Sequence, residues 1–325
     1  MDKDTIYQAV QDRYSAVTRI ADQDTGTGTG SAYTQSVARA FGYTDEELVS
    51  IPREANMGLS CGNPTAMATL QEGETVIDLG SGAGLDVFLA ANKVGLTGKV
   101  YGVDMNKASN TCSYLDMLLR AEQAKTRSGT TNVSFVESRI TDIPLPAALA
   151  NCIISNCVIN LVPESEKQLV FDEMFRLLKP RGRVAISDIL LKKPLSEALR
   201  SCMALYTGCI SGASQIDDYR RYLHTAGFNG KYPPYGSLFG RRYDEGSTGD
   251  TLESRNTLSC CGGPAVSKAE SIACCSAGDG GQQLQAGNKC YGDGGSGPEL
   301  VLPDEFKGEN LNNWAGSYKI FAIKA

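Results

Sequence analysis

Apolar residues between about positions 70 and 228 alternate between two spacings. Short apolar runs at 76–79, 100–103, 133–136, 152–155 and 183–189 are typical of strands buried in a parallel sheet. Between the last two, apolar side chains recur every three or four residues, as on an amphipathic helix that we expect to end near Pro180 to Gly182. This alternation predicts an α/β fold with a doubly wound, Rossmann-like sheet.

The flanking segments have different patterns. Residues 1–70 predict a helical preface that carries Cys61, with the polar run from Asp22 to Ser31 interpreted as a mobile loop. Residues 71–228 form the predicted sheet domain, whose last part, Ser196 to Ala226, is helical with a break at 207–213. Residues 229–325 are rich in glycine and cysteine and predict a smaller, partly flexible α+β module ending in a strand.

The first predicted strand leads into the glycine loop Asp78-Leu-Gly-Ser-Gly-Ala-Gly84, and a helix follows that should end at Gly95. The second strand ends in Asp104, where such folds place a carboxylate on ribose hydroxyls. The glycines follow the pattern G-x-G-x-G, whereas a loop that holds a pyrophosphate needs G-x-G-x-x-G. The segment therefore indicates a nucleotide-type cofactor and argues against NAD.

Charge and hydropathy limit the partners. The net charge of −6 and the absence of a long Lys/Arg run give no electrostatic basis for binding nucleic acid or an anionic membrane. No stretch of 18 consecutive apolar residues occurs, and the N-terminal segment is charged and helical in pattern. We expect a monomeric, cytoplasmic protein that is neither exported nor membrane-spanning and that acts on small molecules.

The chain has eleven cysteines and one histidine. In a protein that is not exported we interpret the cysteines as thiols, and we expect His224 to lie on a helix surface. Cys152 in a strand, and Cys112 and Cys202 in predicted helices, fit small buried hydrophobic residues.

Three further cysteines have glycine or polar neighbours that let a ligand approach, namely Cys61, Cys157 and Cys209. Cys157 follows a core strand, at the edge where open α/β sheets bind their ligands. Three converging thiolates would suit a soft, thiophilic centre.

The motif DLGSGAG resembles the first motif of class I methyltransferases, which use S-adenosylmethionine. Over about 200 residues the chain further resembles the arsenite S-adenosylmethionine methyltransferases, through VQDRYS, FGYTDEELVSIPREANMGLSCGNP, VIDLGSGAGLDVFLAANKVG, KVYGVDM, ISNCVINLVPESEKQLVFDEMFRLLKPRGRVAISDI and GCISGA. The resemblance implies that Cys61, Cys157 and Cys209 bind trivalent arsenic through three sulfurs. The arsenic lone pair would then displace the sulfonium methyl group in line, and no general base is needed.

The same resemblance implies the cofactor contacts. The methionine end would contact Asp78, Gly80, Ser81, Gly82 and Gly84, the ribose Asp104, the adenine Met105, Ile140 and Thr141, and the sulfonium end Asn156. Thr141 stands where Glu is common in the family. The implied function is detoxifying methylation of arsenite or its thiol conjugates, with methylarsenite as a further acceptor and an external thiol such as glutathione or thioredoxin as reductant.

Many members of that family carry a fourth essential cysteine about 28 residues before the position of Cys61, and this chain has none there. Reduction would then use an external thiol or another cysteine of the chain. The pairs Cys260-Cys261 and Cys274-Cys275 fit an arsenic collection site, a zinc site or incidental loop residues. The number of methyl groups transferred stays open. So do two other functions: methylation of an organic small molecule, or non-catalytic binding of arsenic or a soft metal.

Overall fold

The computed structural model describes residues 1–23, 29–105, 117–228, 238–239 and 313–325. Its sheet has seven strands in the order β3-β2-β1-β4-β5-β7-β6. The first five strands in this order are parallel to one another, whereas β7 is antiparallel to both β5 and β6. The strands are β1 Thr75–Leu79, β2 Lys99–Asp104, β3 Val133–Glu137, β4 Ala150–Asn156, β5 Leu178–Leu191, β6 Leu238–Phe239 and β7 Ala315–Ile323. The predicted α/β sheet is confirmed.

The helices precede, connect and follow these strands. They are α1 Lys3–Gln23, α2 Thr29–Ala40, α3 Asp45–Val49, α4 Pro64–Met67, α5 Leu85–Val94, α6 Met117–Ser128, α7 Lys167–Leu177, α8 Glu197–Arg200, α9 Met203–Thr207 and α10 Ile216–Ala226. Single 3₁₀ turns occur at Arg53–Ala55, Ile159–Leu161 and Glu164–Glu166. Within the parts of the chain that the structure describes, no helix is long and apolar enough to cross a bilayer.

The first strand lies at the centre of the parallel part of the sheet. Val76, Ile77 and Leu79 are at most 1% exposed, as their continuous apolar pattern predicts. The chain passes outward from β1 to β2 and β3, and then returns to place β4 on the other side of β1. At such a reversal the loops that leave the two strands diverge and open a crevice, which places Gly80 and Cys157 on its two sides.

Several local predictions need correction. The connection between α1 and α2 is shorter than the predicted loop from Asp22 to Ser31, because α1 continues to Gln23 and α2 begins at Thr29. Helix α7 ends at Leu177, and Pro180 to Gly182 already belong to β5. Cys202 is the N-cap of α9 and is partly exposed, so it is not a buried helical residue. Cys112 lies outside the described residues.

The C-terminal strand belongs to the main sheet. β7 pairs with β5 along nine residues, from Ala315 opposite Leu191 to Ile323 opposite Arg183. The predicted C-terminal strand is therefore present, and it extends the sheet of the 71–228 segment. The glycine-rich stretch with the cysteine pairs lies outside the described residues, and the three-segment division stays a prediction.

Candidate active site

The glycine loop between β1 and α5 turns sharply beside the crevice. Gly80 has a φ of 72°, and a Cβ there would overlap the side chain of Val158 in the loop that follows β4. Gly84 has a φ of 98° and caps α5, and a Cβ would lie 2.9 Å from the Phe88 ring. Both positions require glycine because left-handed backbone and close packing coincide there.

Asp104, at the carboxyl end of β2, is tied to the same loop. Its Oδ2 accepts a hydrogen bond of 2.8 Å from the backbone N–H of Gly82. The carboxylate thus fixes the loop and stands at the rim of the cavity. A single residue can in this way order the loop and contact a ligand.

The loop forms one wall of a cavity. Most of the predicted cofactor residues line it, namely Asp78, Gly80, Ser81, Gly82, Asp104, Met105, Ile140 and Asn156. Two do not. Gly84 is the N-cap of α5, and Thr141 follows Ile140 outside the residues that line the cavity. Their predicted cofactor contacts, like the roles of the other residues, stay predictions.

Three carboxyl groups make the cavity acidic. Burial raises the pKa of Asp86 to about 6. Burial, with repulsion from Asp86 and Asp104, raises the pKa of Asp78 well above its ordinary value. Asp78 and Asp86 resist ionisation in the absence of a positive charge, so the cavity favours a cationic ligand. The sequence reasoning did not single out Asp86, which sits in the first turn of α5 where acidic residues are common for helix stability alone.

Helix α1 covers the cavity. Tyr7, Gln11 and Tyr14 line it from this helix. The Tyr7 hydroxyl donates to Glu166 Oε2 at 2.7 Å, and the Gln11 amide donates to the carbonyl of Met105 at 3.3 Å. The preface therefore folds over the crevice, through contacts that span about a hundred residues or more of sequence and leave no local signal.

The three candidate cysteines meet at the other side of the crevice. Cys61, Cys157 and Cys209 are 1%, 4% and 0% exposed and belong to one apolar cluster, in which Cys157 also lines the cavity. Cys61 and Cys157 form a disulfide with Cα atoms 5.7 Å apart, and the Cys209 thiol donates to the Cys157 carbonyl at 3.1 Å. The predicted convergence is present, but the set is oxidised, so three thiolates form only after this disulfide is reduced.

Two of these cysteines have left-handed backbone, with φ of 60° at Cys157 and 62° at Cys209. Such conformations are uncommon for residues other than glycine and persist where surrounding contacts hold them. The Cys157 amide donates to the Ser187 carbonyl at 2.8 Å, and the Asn160 amide group donates to the Cys209 carbonyl at 3.3 Å. Asn160 is itself held by Asp188 Oδ1 at 2.8 Å.

Asn156 connects the cysteine site to the first turn of α5. Its amide group donates to Asp86 Oδ2 at 3.0 Å and to the Gly62 carbonyl at 2.9 Å, and its Oδ1 accepts from the Cys61 amide at 3.1 Å. Asp86 also accepts from the Tyr43 hydroxyl at 2.8 Å. Asn156 lines the cavity as predicted, yet its polar atoms mainly hold the Cys61 loop against α5.

The other described cysteine in the core and the histidine are unrelated to this site. Cys152 is fully buried in β4, where burial raises the pKa of its thiol to about 12. It behaves as the small hydrophobic residue that the sequence predicted. His224 is exposed on α10, also as predicted.

Comparison with known proteins agrees with this geometry. Residues 70–227 match the model of a family described as a methyltransferase domain. The chain is 30% identical over 182 residues to the ubiquinone/menaquinone biosynthesis C-methyltransferase of Salmonella paratyphi B, covering 54% of this chain and 67% of that enzyme. The chain therefore belongs to the class I methyltransferases that use S-adenosylmethionine.

Within that class the chain is similar to arsenite methyltransferases. It is 42% identical over 193 residues to the arsenite methyltransferase of Halobacterium salinarum, over 59% of this chain and 47% of that protein. It is 31% identical to the crystal structure of an arsenic(III) S-adenosylmethionine methyltransferase from Chlamydomonas reinhardtii, with a TM-score of 0.47 over 60% of this chain and 62% of that one. The chain spans about half the length of the curated arsenite methyltransferases that it matches.

The residues present fit S-adenosylmethionine, which carries a sulfonium and an ammonium group. The acidic wall formed by Asp78, Asp86 and Asp104 complements these charges. Gly80 and Gly82 have no side chain on this wall, so a ligand can approach the loop backbone closely.

Proposed function

We propose that this protein methylates trivalent arsenic with S-adenosylmethionine, taking arsenite and, as a further acceptor, methylarsenite. The observation that carries the proposal is the meeting of Cys61, Cys157 and Cys209 at the edge of an acidic cofactor cavity. They come from three distant segments of the chain, so their convergence is a product of the fold. The similarity to arsenite methyltransferases supports the same substrate.

The donor set suits the substrate. Thiolates are soft ligands and prefer thiophilic centres, and three of them leave the arsenic lone pair available as a nucleophile. S-Adenosylmethionine supplies an activated methyl group when it is bound. The protein then needs no general base, in keeping with one exposed histidine. Its cysteines hold the acceptor, and α1 with the loop before Cys61 excludes water, so orientation provides most of the rate enhancement.

Reduction of the Cys61–Cys157 disulfide precedes arsenic binding in this proposal, because binding uses all three thiolates. A thiolate of an external reductant attacks one sulfur of the disulfide and forms a mixed disulfide. A second thiol of the reductant then resolves it, so that the protein gains two thiols and the reductant becomes oxidised. Glutathione or thioredoxin has this chemistry.

The remaining features of the proposal come from the sequence. We propose a monomeric, cytoplasmic protein that takes arsenite or its thiol conjugates and has no nucleic-acid or membrane partner. The cofactor contacts proposed are those implied by the family motif, with Asp104 on the ribose and the Asp78 to Gly84 loop on the methionine end.

The test is a methylation assay. The reduced protein is incubated with S-adenosylmethionine, arsenite and excess thiol, and arsenic species are separated by chromatography with arsenic-specific detection. We expect methylarsenicals from the wild type and none from Cys157→Ala or Cys209→Ala. Cys152→Ala is the matched control, because it removes a buried thiol outside the cysteine site.

The outcomes separate the competing functions. Activity in Cys152→Ala and its loss in the other two variants supports the proposal. Cofactor binding without any arsenic product would refute it: arsenic binding would then leave a non-catalytic binding protein, and its absence would leave an organic acceptor. The ratio of mono- to dimethylated product measures how many methyl groups are transferred.

A further inference from the structure

The peptide of Cys61 is held from two sides. On one side its amide donates to Asn156 Oδ1 at 3.1 Å. On the other, its carbonyl accepts a hydrogen bond of 2.7 Å from the hydroxyl of Ser317, a residue of β7 that is 256 positions away in sequence. Both polar groups of this backbone unit therefore bond to side chains from strands of the main sheet.

The register of β7 places Ser317 at this point. Ser317 lies opposite Ile189 of β5, and Ile189 belongs to the apolar cluster that contains all three candidate cysteines. Side chains of directly opposed residues in a sheet project from the same face. The pairing of β7 with β5 thus directs the hydroxyl towards the Cys61 loop. Trp314, just before β7, packs against the same cluster and is the only tryptophan of the chain.

We propose that Ser317 is a positioning residue of the arsenic site. Its hydrogen bond keeps Cys61 in place when the disulfide is reduced, so that the Cys61 thiolate stays beside those of Cys157 and Cys209. Without the bond the loop that carries Cys61 samples more positions, and binding must restrict them again. The arsenic part of this inference rests on the proposed function, whereas the holding of Cys61 near Cys157 does not.

The first measurement is independent of arsenic. Wild type, Ser317→Ala and Ser317→Thr are equilibrated in thiol–disulfide buffers, and the Cys61–Cys157 disulfide is quantified by differential alkylation and mass spectrometry. We expect Ser317→Ala to lower the equilibrium constant for disulfide formation about two- to tenfold, the range for one lost hydrogen bond, which corresponds to about 9–30 mV. Ser317→Thr keeps the hydroxyl and should remain near the wild-type value.

The second measurement uses the substrate. Arsenite is titrated into reduced protein while Trp314 fluorescence is followed, and binding is checked by dialysis with Cys157→Ala as background. We expect Ser317→Ala to weaken arsenite binding and raise the arsenite KM about two- to tenfold. The KM for S-adenosylmethionine should not change, because Ser317 is not part of the cofactor cavity.

Ser128→Ala is the matched control. It also removes a serine hydroxyl that donates to a backbone carbonyl, that of Lys125 at 3.1 Å, but on α6 away from the cysteine cluster. It should match the wild type in both measurements, and thermal unfolding shows whether each variant is folded.

The two possible failures can be told apart. If wild type binds and methylates arsenite while Ser317→Ala behaves like it in both measurements, the positioning role is wrong. Equal losses in Ser317→Ala and Ser317→Thr would also overturn it, because the hydroxyl would not be the cause. If wild type shows no arsenite binding but Ser317→Ala weakens the disulfide, the positioning role stands and the proposed substrate is wrong.

Discussion

Gly62, the residue after Cys61, provides the sharpest test of how the cysteine site is built. A Cβ at this position would lie 2.5 Å from the Cβ of Ser187 and 2.8 Å from its hydroxyl oxygen. Non-bonded carbon atoms are normally about 3.5–4.0 Å apart, so in Gly62→Ala the loop must retreat by about 1 Å. Ser187 pairs with Asn156 across β4 and β5, so a loop that moves away from Ser187 also moves away from Asn156.

The consequence can be estimated from the contacts that hold the loop. The Cys61 amide is 3.1 Å from Asn156 Oδ1 and its carbonyl is 2.7 Å from the Ser317 hydroxyl. A shift of about 1 Å takes the Asn156 contact beyond hydrogen-bonding distance. Overpacking costs about 1–3 kcal/mol of stability, and a displacement of this size at a reacting centre lowers kcat/KM on the order of a hundredfold.

The assay is arsenite methylation under reducing conditions, with thermal unfolding in parallel. Gly208→Ala is the matched control: Gly208 precedes Cys209 and has a φ of −90°, and a Cβ there would be in ordinary contact, 3.4 Å from the carbonyl oxygen of Ala204. It should keep kcat/KM within about twofold. Ser187→Gly should restore part of the activity of Gly62→Ala, because it removes the overlapping Cβ while its hydroxyl has no hydrogen-bond partner among the described residues.

Two results would refute this reasoning. One is a Gly62→Ala variant that retains wild-type kcat/KM and melting temperature. The other is a Gly208→Ala variant that is as damaged as Gly62→Ala. In either case the close approach of Gly62 to Ser187 would have no part in holding Cys61.

Three further predictions concern the carboxyl groups. Burial raises the pKa of Asp86 to about 6, and a cationic cofactor favours its ionised form, so the affinity for S-adenosylmethionine should increase as the pH rises through 6. Calorimetry at pH 5–8 should show a smaller increase in affinity for Asp86→Asn than for the wild type. Identical pH dependence in the two proteins would contradict this prediction. Asp104→Ala removes the hydrogen-bond acceptor for the Gly82 amide and the proposed ribose ligand. The Kd for S-adenosylmethionine should therefore rise about tenfold or more, with arsenite binding unchanged. An unaltered Kd for S-adenosylmethionine would exclude Asp104 as a cofactor ligand. Burial raises the pKa of Asp188 from 3.8 to about 7, so its contribution to stability is complete below pH 3.8 and is lost as the pH rises through 7. Urea unfolding between pH 4 and 7.5 should therefore show a steeper loss of stability for wild type than for Asp188→Asn, and parallel curves would be evidence against it.

The features that the sequence alone predicted correctly are local in origin. Buried strands need unbroken apolar runs, which gave the five parallel strands, and a left-handed turn beside a packed side chain needs glycine, which gave the loop after β1. Asp104 follows from the strand that it ends. The same reasoning placed Cys157 at the crevice, because a residue after a core strand lies at the carboxyl edge of the sheet whatever surrounds it.

Tertiary structure decided which distant groups share that edge. Nothing in the sequence around Ser317 signals a contact with Cys61, because a strand register is set by pairing along a whole edge and not by one residue. The same holds for α1 over the cavity and for Asn156 between Asp86 and the Cys61 loop. The Cys61–Cys157 disulfide also depends on this assembly, since two thiols 96 residues apart bond only where the fold brings their backbones within reach. The sequence by itself determined the five parallel strands, the glycine loop after β1 and the candidate thiols. Only the packing of the preface and of β7 onto that sheet decided how the thiols are arranged and held, because those contacts join segments with no local relation to one another.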